Sequence, residues 1–276
     1  MEQKINIKKG NVQETLLLPL WGRAYETQKA NPRLIDKKAV EIVEKLDYDF
    51  STIQKTQSMS QHGWVARSLH TDRMVLEYIQ KHPKAAIVNI GCGMDTTFSR
   101  IDNGEITFYE LDLPDVIELR KHFYKDNARH ISIASSFLDT EWFKEIKVVD
   151  GLLCIAGGVF YYFDEEQIKN FFIATADYFG ECEFYFDSLS PLGLKIGRKQ
   201  VLKSGGMGNM EDVFNGWALK PIKSIEKWDK RIKVISTKSM SKGMKKGIPF
   251  ITKIILTIPD LLGICSMVHV RMRKSQ

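Results

Sequence analysis

After residue 84 the chain alternates short apolar runs with helical stretches, and this alternation restricts the fold more than any other feature. The runs are rich in aliphatic and aromatic side chains, which is typical of strands buried on both faces of a sheet. They are Ala85–Ile90, Ile106–Leu111, Ile131–Ala134, Leu152–Ala156 and Glu183–Phe186. Because strands joined by helices follow one another in this way, the sequence predicts an α/β fold with an open, mostly parallel sheet.

Two later runs, Lys233–Thr237 and Met267–Met272, complete the strand pattern. We expect them to pair with each other as an antiparallel edge of the sheet. The chain at about 191–230 is glycine-rich and irregular in pattern. We interpret it as an insertion over the carboxyl edge of the sheet, which is the edge where open α/β sheets bind ligands.

The first 84 residues differ from the rest, because apolar residues recur there at helical spacing and no strand stands out. The period is clearest at 36–48 and 59–83, and Pro83 ends the second stretch. We therefore expect an N-terminal helical cap over residues 1–84 and a sheet-containing core over residues 85–276, within one structural domain. In the core, Pro114 and the pair Asp164 and Gln167 are typical of helix starts.

The composition is that of a globular protein with a substantial core, and several classes of protein do not fit it. The four cysteines are scattered and form no CxxC pair, which indicates free thiols and a cytoplasmic location. Lys253, Pro259 and Asp260 interrupt the most apolar stretch, so we expect no membrane partner. The net charge of +6 is not interleaved with aromatic residues, so we expect no nucleic-acid partner either. The oligomeric state is left open.

A glycine turn follows the first apolar run, in the sequence NIGCGMDT at 89–96. Gly91 and Gly93 let the backbone turn sharply and let a ligand approach closely, and the nearby helix N-terminus favours an anion or an acceptor group. A dinucleotide site requires a third glycine, and Thr96 stands at that position. The pattern therefore favours a nucleoside-containing cofactor, and S-adenosylmethionine fits it better than a dinucleotide does.

An acidic residue comes where the next apolar run ends, about 20 residues after the turn. Asp112, in FYELDLP, is suited to accept hydrogen bonds from both hydroxyls of a ribose. Glu110 is the alternative, because alternation along a strand places both carboxylates on the same face. We prefer Asp112 because it is nearer the sheet edge.

Four motifs together carry a family resemblance: NIGCGMDTTFSR, YELDLP followed by VIELR, IASSFLD, and LLCIAGGVFYYFDEEQI. In this order, with TLLLPLWGRAYET and VARSLHTD upstream, they closely resemble the leucine carboxyl methyltransferase family, in particular its polyketide O-methyltransferase branch of the tetracenomycin type. The resemblance implies a class I S-adenosylmethionine-dependent methyltransferase. Such a protein has a Rossmann-like seven-stranded sheet with its last strand antiparallel, and an N-terminal helical cap.

The resemblance also implies roles for individual residues. Arg67 would meet the carboxylate of the cofactor's methionine, the glycine turn would lie under the same end, and Asp112 would hold the ribose. Ser136 and Phe137 would lie beside the adenine. The residues expected to contact S-adenosylmethionine are Arg67, Gly91, Cys92, Gly93, Asp112, Leu113, Ser136, Phe137, Ala156 and Gly157.

The sequence departs from the family pattern at two of these positions. Ser136 stands where the family often has an acid, and Gly157 stands where the family usually has the glutamate of A-E-G-V. Loss of a carboxylate beside a buried ammonium group costs about 1–3 kcal/mol. This departure motivates a second hypothesis, an S-adenosylmethionine-binding protein with weak or lost catalysis.

The methyl acceptor is the least determined part of the prediction. A carboxylate acceptor is already ionised near neutral pH and needs no general base, whereas a phenol or alcohol is helped by one. Arg23 is a candidate to pair with an acceptor carboxylate, or else forms an inter-helix salt bridge. Tyr162 is a candidate at the mouth of the site, or else a packing aromatic. Trp217 and Met207 are candidates to line an apolar pocket, or else fill the core.

The sequence thus predicts an O-methyltransferase that acts by in-line displacement on a carboxylate or hydroxyl of a small, polyketide-like molecule. No catalytic dyad is evident, so the catalytic residues are not identified. The six histidines show no metal-ligand spacing, and we expect no metal. A protein carboxyl methyltransferase is a further alternative, motivated by the basic surplus and by the protein-modifying relatives in the family.

Overall fold

The computed structural model describes residues 4–6, 12–203 and 216–274. Its helices are α1 (Val12–Thr27), α2 (Lys37–Lys45), α3 (Ser51–Thr56), α4 (Ser58–Ile79), α5 (Phe98–Ile101), α6 (Pro114–Arg120), α7 (Glu165–Phe179), α8 (Pro191–Lys203) and α9 (Phe250–Leu261). Short 3₁₀ helices span Thr140–Glu145, Phe160–Tyr162 and Ile222–Lys227. The strands are β1 (Ile5–Asn6), β2 (Leu46–Asp47), β3 (Ala86–Ile90), β4 (Thr107–Asp112), β5 (His130–Ala134), β6 (Leu152–Ala156), β7 (Cys182–Leu189), β8 (Ile232–Ser239) and β9 (Cys265–Met272). Met207 lies outside the described residues, as does part of the predicted insertion.

Among the described strands, seven form one sheet in the order β5-β4-β3-β6-β7-β9-β8. Strands β3 to β7 are parallel, whereas β9 lies between β7 and β8 and runs antiparallel to both. The predicted α/β class, the seven strands and the antiparallel edge are therefore confirmed. The order in which strands are added to the sheet reverses at β3, because β4 lies on one side of it and β6 on the other. Such a reversal opens a crevice at the carboxyl ends of the strands.

The local sequence explains most of these elements. β3 and β6 are buried along their whole length, as their largely apolar sequences predict. Pro114 occupies the first turn of α6. Asp164 caps α7, because its side chain accepts a hydrogen bond from the Gln167 backbone at 2.8 Å and its own backbone N–H donates to the Gln167 side chain at 3.1 Å. Both predicted helix starts are thus confirmed.

The helices α1 to α4 pack on one another and on the sheet. The second half of α4 shares a buried cluster with the sheet, in which Val75 and Ile79 meet Ile87 and Phe108. α1 and α2 form a second cluster that includes Met94, just beyond the end of β3. None of the helices in the described ranges is long and apolar enough to cross a membrane.

Two short segments differ from the prediction. Pro191–Lys203 forms α8 where irregular structure was expected, and Ser190 marks its start by accepting a hydrogen bond from Gly193 N at 3.2 Å. The glycines of this segment hide that helix start in the sequence. Leu46–Asp47 pairs in parallel with Ile5–Asn6 in a region where no strand was expected. A strand of two residues has no period that a sequence pattern can show.

Candidate active site

A cavity of about 910 Å³ opens at the carboxyl ends of the parallel strands. Its walls come from α1 and α4, from the turns that follow β3 to β7, and from α9. Most of the residues predicted to contact cofactor or acceptor line this cavity: Arg23, Arg67, Gly91, Cys92, Gly93, Asp112, Leu113, Ser136, Phe137, Gly157 and Tyr162. Ala156 and Trp217 are instead buried in the central hydrophobic cluster. One cavity therefore unites side chains that are far apart in the sequence.

The glycine turn lies at the bottom of the crevice, between β3 and α5. Gly91 and Gly93 both have positive φ, at 59° and 47°. A Cβ on Gly91 would lie 2.6 Å from Val159 Cγ2, and one on Gly93 would lie 3.0 Å from Leu16 Cδ2. The turn is thus held between the loop after β6 and helix α1, and glycine is needed for packing as well as for ligand approach. Burial raises the pKa of the Cys92 thiol well above its ordinary value, so Cys92 is a neutral filler here.

Arg120, from α6, supports the turn from below. Its Nη1 donates hydrogen bonds to the carbonyl oxygens of Gly93 at 2.6 Å and Asp95 at 3.0 Å. Its guanidinium also forms an ion pair with Glu110, with Nη2 and Oε1 2.7 Å apart. Glu110 is buried and accepts a further hydrogen bond from Asn89 at 2.9 Å. Glu110, the alternative ribose acid, is therefore committed to holding the turn in place.

Asp112 lies at the end of β4 and faces the cavity. Its Oδ2 accepts a hydrogen bond from Gly93 N and its Oδ1 one from Leu113 N, each at 2.7 Å. Burial raises the pKa of Asp112 even though both hydrogen bonds favour the charged form. Each oxygen retains a second lone pair. The carboxylate is thus fixed in orientation and still able to accept hydrogen bonds from a ligand.

A second carboxylate lies at the other side of the turn and was not predicted from the sequence. Asp187, on β7, is buried; its Oδ1 accepts a hydrogen bond from Gly158 N at 2.6 Å and its Oδ2 lies 3.2 Å from Nη1 of Arg67. Burial alone would lower the pKa of Arg67, but Asp187 raises it above the ordinary value. A Cβ on Gly157 would lie 3.5 Å from Cδ of Arg67. Asp187 and Gly157 therefore both lie beside Arg67, and Asp187 supplies a carboxylate near the position where the family usually has a glutamate.

The residues predicted for the adenine form the wall beyond Asp112. Phe137 is buried and packs edge-on against Phe163 and Phe171, with ring centroids 4.7 and 4.9 Å apart. Leu113 is half exposed and also lines the cavity. Ser136 Oγ accepts a hydrogen bond from Leu138 N at 3.3 Å. This part of the cavity is thus lined by apolar side chains and by the hydroxyl groups of Ser135 and Ser136.

The two residues predicted for the acceptor differ in how they are engaged. Arg23 is buried, and it donates from Nε to Asp36 at 3.0 Å and from Nη2 to the carbonyl oxygen of Met94 at 2.7 Å. The salt bridge, the alternative role for Arg23, is thus present. Burial raises the pKa of Tyr162 to about 12, so it is a neutral phenol at pH 7. Trp217 lies in the core beside Trp228, not in the cavity wall.

Histidine chemistry is not available to this cavity from the described residues, since no imidazole lines it. Burial lowers the pKa of His62 and of His70 to about 4. His70 bonds to the carbonyl oxygen of Met240, and His62 contacts Arg33. No group of three histidine, cysteine or acidic side chains suited to a metal is found in the described ranges.

Comparison with known proteins assigns the chain to a family. The model of the family described as leucine carboxyl methyltransferase matches residues 17–176. The tetracenomycin polyketide synthesis O-methyltransferase TcmP of Streptomyces glaucescens is 28% identical over 223 residues, which are 80% of each chain. The residues that the family model matches include the glycine turn, Asp112 and Gly157.

Solved structures show the same fold at low identity. A crystal structure from Thermobifida fusca matches with a TM-score of 0.56 at 13% identity, over 92% of this chain and 94% of the other. The plantazolicin methyltransferase BamL, in complex with a triazolic desmethylPZN analog and SAH, matches with a TM-score of 0.50 at 10% identity, over 96% and 98%. The family takes its methyl group from S-adenosylmethionine. The chain therefore belongs to the leucine carboxyl methyltransferase family, as an S-adenosylmethionine-dependent methyltransferase.

Proposed function

We propose that this methyltransferase is an O-methyltransferase whose acceptor is a small, largely apolar molecule of polyketide type. The observation that carries the proposal is the cavity, which is lined both by the predicted cofactor residues and by apolar groups of the cap and α9. The relationship to TcmP, a polyketide O-methyltransferase, supports the same class of acceptor. The volume of about 910 Å³ lies at the upper end of the usual range for ligand sites, which fits a site for two ligands.

The described residues fit S-adenosylmethionine. We propose that Asp112 accepts hydrogen bonds from the ribose hydroxyls, that Arg67 and Asp187 hold the amino-acid end, and that Leu113 and Phe137 enclose the adenine. When bound, this cofactor supplies a methyl group made electrophilic by a positively charged sulfur. The contribution of the chain is to hold donor and acceptor in line and to exclude water, which is worth about 7–11 kcal/mol in favourable cases.

The protonation states in the cavity favour a carboxylate acceptor over a phenol. No imidazole lines the cavity in the described ranges, and the pKa of Tyr162 is raised by burial to about 12. The pKa of the Cys92 thiol is raised as well. A carboxylate acceptor requires no proton removal, because it is already ionised at neutral pH.

Asp187 also bears on the hypothesis of lost catalysis, which rested on Gly157. Its carboxylate lies against Arg67, on the same side of the turn as Gly157. A negative charge for the cofactor's ammonium group is therefore available from β7. This arrangement favours an active methyltransferase over a protein with weak or lost catalysis.

The test is methyl transfer from labelled S-adenosylmethionine to a matched panel of aromatic carboxylic acids, the corresponding phenols, and peptides with a C-terminal leucine. We expect turnover of the acids with a kcat/KM that is flat from about pH 6 to pH 9. A rate that rises with pH and is confined to phenols would reject the carboxylate acceptor. Cofactor binding in calorimetry without turnover of any small molecule would reject the proposed function.

A further inference from the structure

Helix α9 carries an apolar stripe that faces away from the rest of the protein. Its residues follow helical spacing and are strongly exposed: Phe250 at 77%, Ile251 at 70%, Ile254 at 49%, Ile258 at 54% and Leu261 at 81%. Monomeric proteins rarely expose a continuous apolar face of this kind without a partner for it. The outer stripe of α9 is therefore a candidate interaction surface.

The opposite side of the same helix is already used. Leu256 and Pro259 line the cavity described above, and Ile255, which is 46% exposed, lies between them and the stripe and also lines the cavity. The helix is thus attached to the protein by its inner side, and none of the residues of the outer stripe lines the cavity. The function of the stripe is consequently separate from that of the cavity wall.

Positive charge is concentrated in α9 and in the segment that leads into it. The segment 238–262 contains five lysines and one acidic residue: Lys238, Lys242, Lys245, Lys246, Lys253 and Asp260. Asp260 is neutralised by Lys245, whose Nζ lies 2.9 Å from its carboxylate. Lys242 and Lys246 are exposed in the loop that precedes the helix. The surface therefore combines an aliphatic stripe with a net positive border.

We propose that α9 docks the protein on the surface of an anionic lipid bilayer, with the stripe in the acyl region and the lysines at the headgroups. This differs from the sequence-based expectation of no membrane partner, because that expectation considered only a membrane-spanning segment. A helix with an apolar face and a lysine-rich border is typical of such interfacial attachment. α9 has 12 residues, too short to cross a bilayer, so it would lie in the plane of the interface.

Two features favour lipid over a protein partner. A second copy of this chain would bring the same face, and therefore the same lysines, against one another in a symmetric dimer. The segment 250–262 contains no tryptophan, tyrosine or arginine, the residue types that dominate protein–protein contacts. A bilayer requires only the aliphatic surface and the positive border.

The experiment is sedimentation of the full chain with vesicles of phosphatidylcholine alone or mixed with phosphatidylglycerol. We expect binding to the anionic vesicles that weakens at high salt, and little binding to the neutral ones. The double variant Ile251→Ser/Ile258→Ser removes aliphatic surface from the stripe and should weaken binding at least tenfold. Lys242→Glu/Lys246→Glu should also weaken it at least tenfold, because each lysine near an anionic surface contributes about fivefold.

The matched controls are Val149→Ser and Lys84→Glu, exposed positions at the amino ends of β6 and β3, on the far side of the sheet. They should bind vesicles like the unaltered chain, and all variants should keep their affinity for S-adenosylmethionine. Failure of the unaltered chain to bind anionic vesicles would overturn the proposal, as would equal binding by the α9 variants. A dimer that dissociates in Ile251→Ser/Ile258→Ser without any vesicle binding would assign the stripe to a second copy instead. Because no outcome depends on turnover, failure here is distinct from failure of the proposed function.

Discussion

Gly91 shows how the absence of one carbon atom determines the shape of the site. Its φ is 59°, and the space that a Cβ would need is occupied by Val159, whose Cγ2 would lie 2.6 Å away. Gly104, in a surface turn, has a φ of 82°, but a Cβ there would meet nothing within 4 Å. A substitution at Gly104 therefore reports the free-energy cost of a left-handed backbone alone. A substitution at Gly91 adds the cost of steric overlap with Val159.

We expect Gly91→Ala to lower the free energy of unfolding by about 3 kcal/mol, because backbone strain and overpacking add at this position. Gly104→Ala should cost about 1–2 kcal/mol, from backbone strain alone. Urea unfolding measures both. Adding Val159→Ala to Gly91→Ala should restore part of the loss by removing the clash. Equal costs at the two glycines would show that the turn adapts to a methyl group.

Asp112→Ala should weaken the binding of S-adenosylmethionine at least tenfold, or by about 1.4 kcal/mol, because the proposed ribose acceptor is lost. Isothermal titration calorimetry measures the change. The control is Glu118→Ala on the neighbouring helix α6, where the carboxylate is exposed and pairs only loosely with Lys121 at 3.4 Å. An affinity that Asp112→Ala leaves unchanged would remove the ribose assignment.

The sequence identified the residues of the glycine turn because they are consecutive and their spacing has a known physical reason. It did not identify Asp187, although this carboxylate contacts Arg67 in the same cavity. Asp187 reaches the site only because β7 lies two strands away from β3 in the sheet. Alternation along β7 indicates which face of the sheet Asp187 occupies. The strand order that brings Asp187 to the cavity cannot be predicted from any single sequence motif.

The junction between β3 and α5 depends on Asp95. Its carboxylate accepts hydrogen bonds from Asn89 on β3 at 3.0 Å and from the backbone of Thr97, just before α5, at 3.2 Å. Although burial opposes ionisation, the nearby Arg23 and Arg100 hold the pKa of Asp95 at about 2, against an ordinary value of 3.8. The charged form of this group thus contributes to folding.

Asp95→Asn should therefore lower the free energy of unfolding at pH 7 by about 2 kcal/mol. A depressed pKa stabilises above the unfolded value, so the full difference should persist down to about pH 4. It should shrink as the pH falls below 3.8 toward 2, where the aspartate is protonated in both states. Urea unfolding at a series of pH values checks this. A difference that does not depend on pH would assign the effect to shape rather than to charge.

Secondary structure was predictable wherever local signals were strong. β3 and β6 follow from largely apolar runs, and α7 follows from the capping pair Asp164 and Gln167. α8 was missed because glycines interrupt its helical pattern. β2 was missed because its pairing with β1 joins residues about 40 positions apart in the sequence.

The helical cap is fastened to the sheet-containing core by a buried charge network. Asp36, which caps α2, accepts hydrogen bonds from Arg23 on α1 at 3.0 Å and from Arg100 on α5 at 2.7 Å. Arg100 also donates to Asp72 on α4, at 2.6 and 2.8 Å. Four helices therefore meet at one group of charges directly behind the glycine turn.

Asp36→Ala should lower the free energy of unfolding by about 3–5 kcal/mol, because it leaves two buried guanidinium groups without their shared partner. Thermal and urea unfolding measure the loss, and limited proteolysis should cut the cap first. The control is Glu41→Ala on the same helix, whose half-exposed carboxylate pairs with Lys38 and Lys45. That variant should lose less than about 1 kcal/mol. A similar loss in both variants would show that the network does not fasten the cap.

The sequence predicted N-terminal helices but not how they are held to the sheet-containing core. Arg23 was correctly considered for a salt bridge, yet its partners Asp36 and Met94 could not be named without the fold. Contacts between distant segments depend on how helices stack, and side-chain periodicity describes only which face of a helix is buried.

The position of β9 has a consequence for the order in which the molecule is completed. β8 pairs only with β9 among the described strands, yet β9 is made later, after α9. During synthesis, β8 therefore has no strand to pair with until β9 emerges from the ribosome. The strands that bear the glycine turn, Asp112 and Asp187 have all been synthesised by then. The cavity wall that α9 supplies is therefore synthesised after the turns that carry Gly91, Asp112 and Asp187.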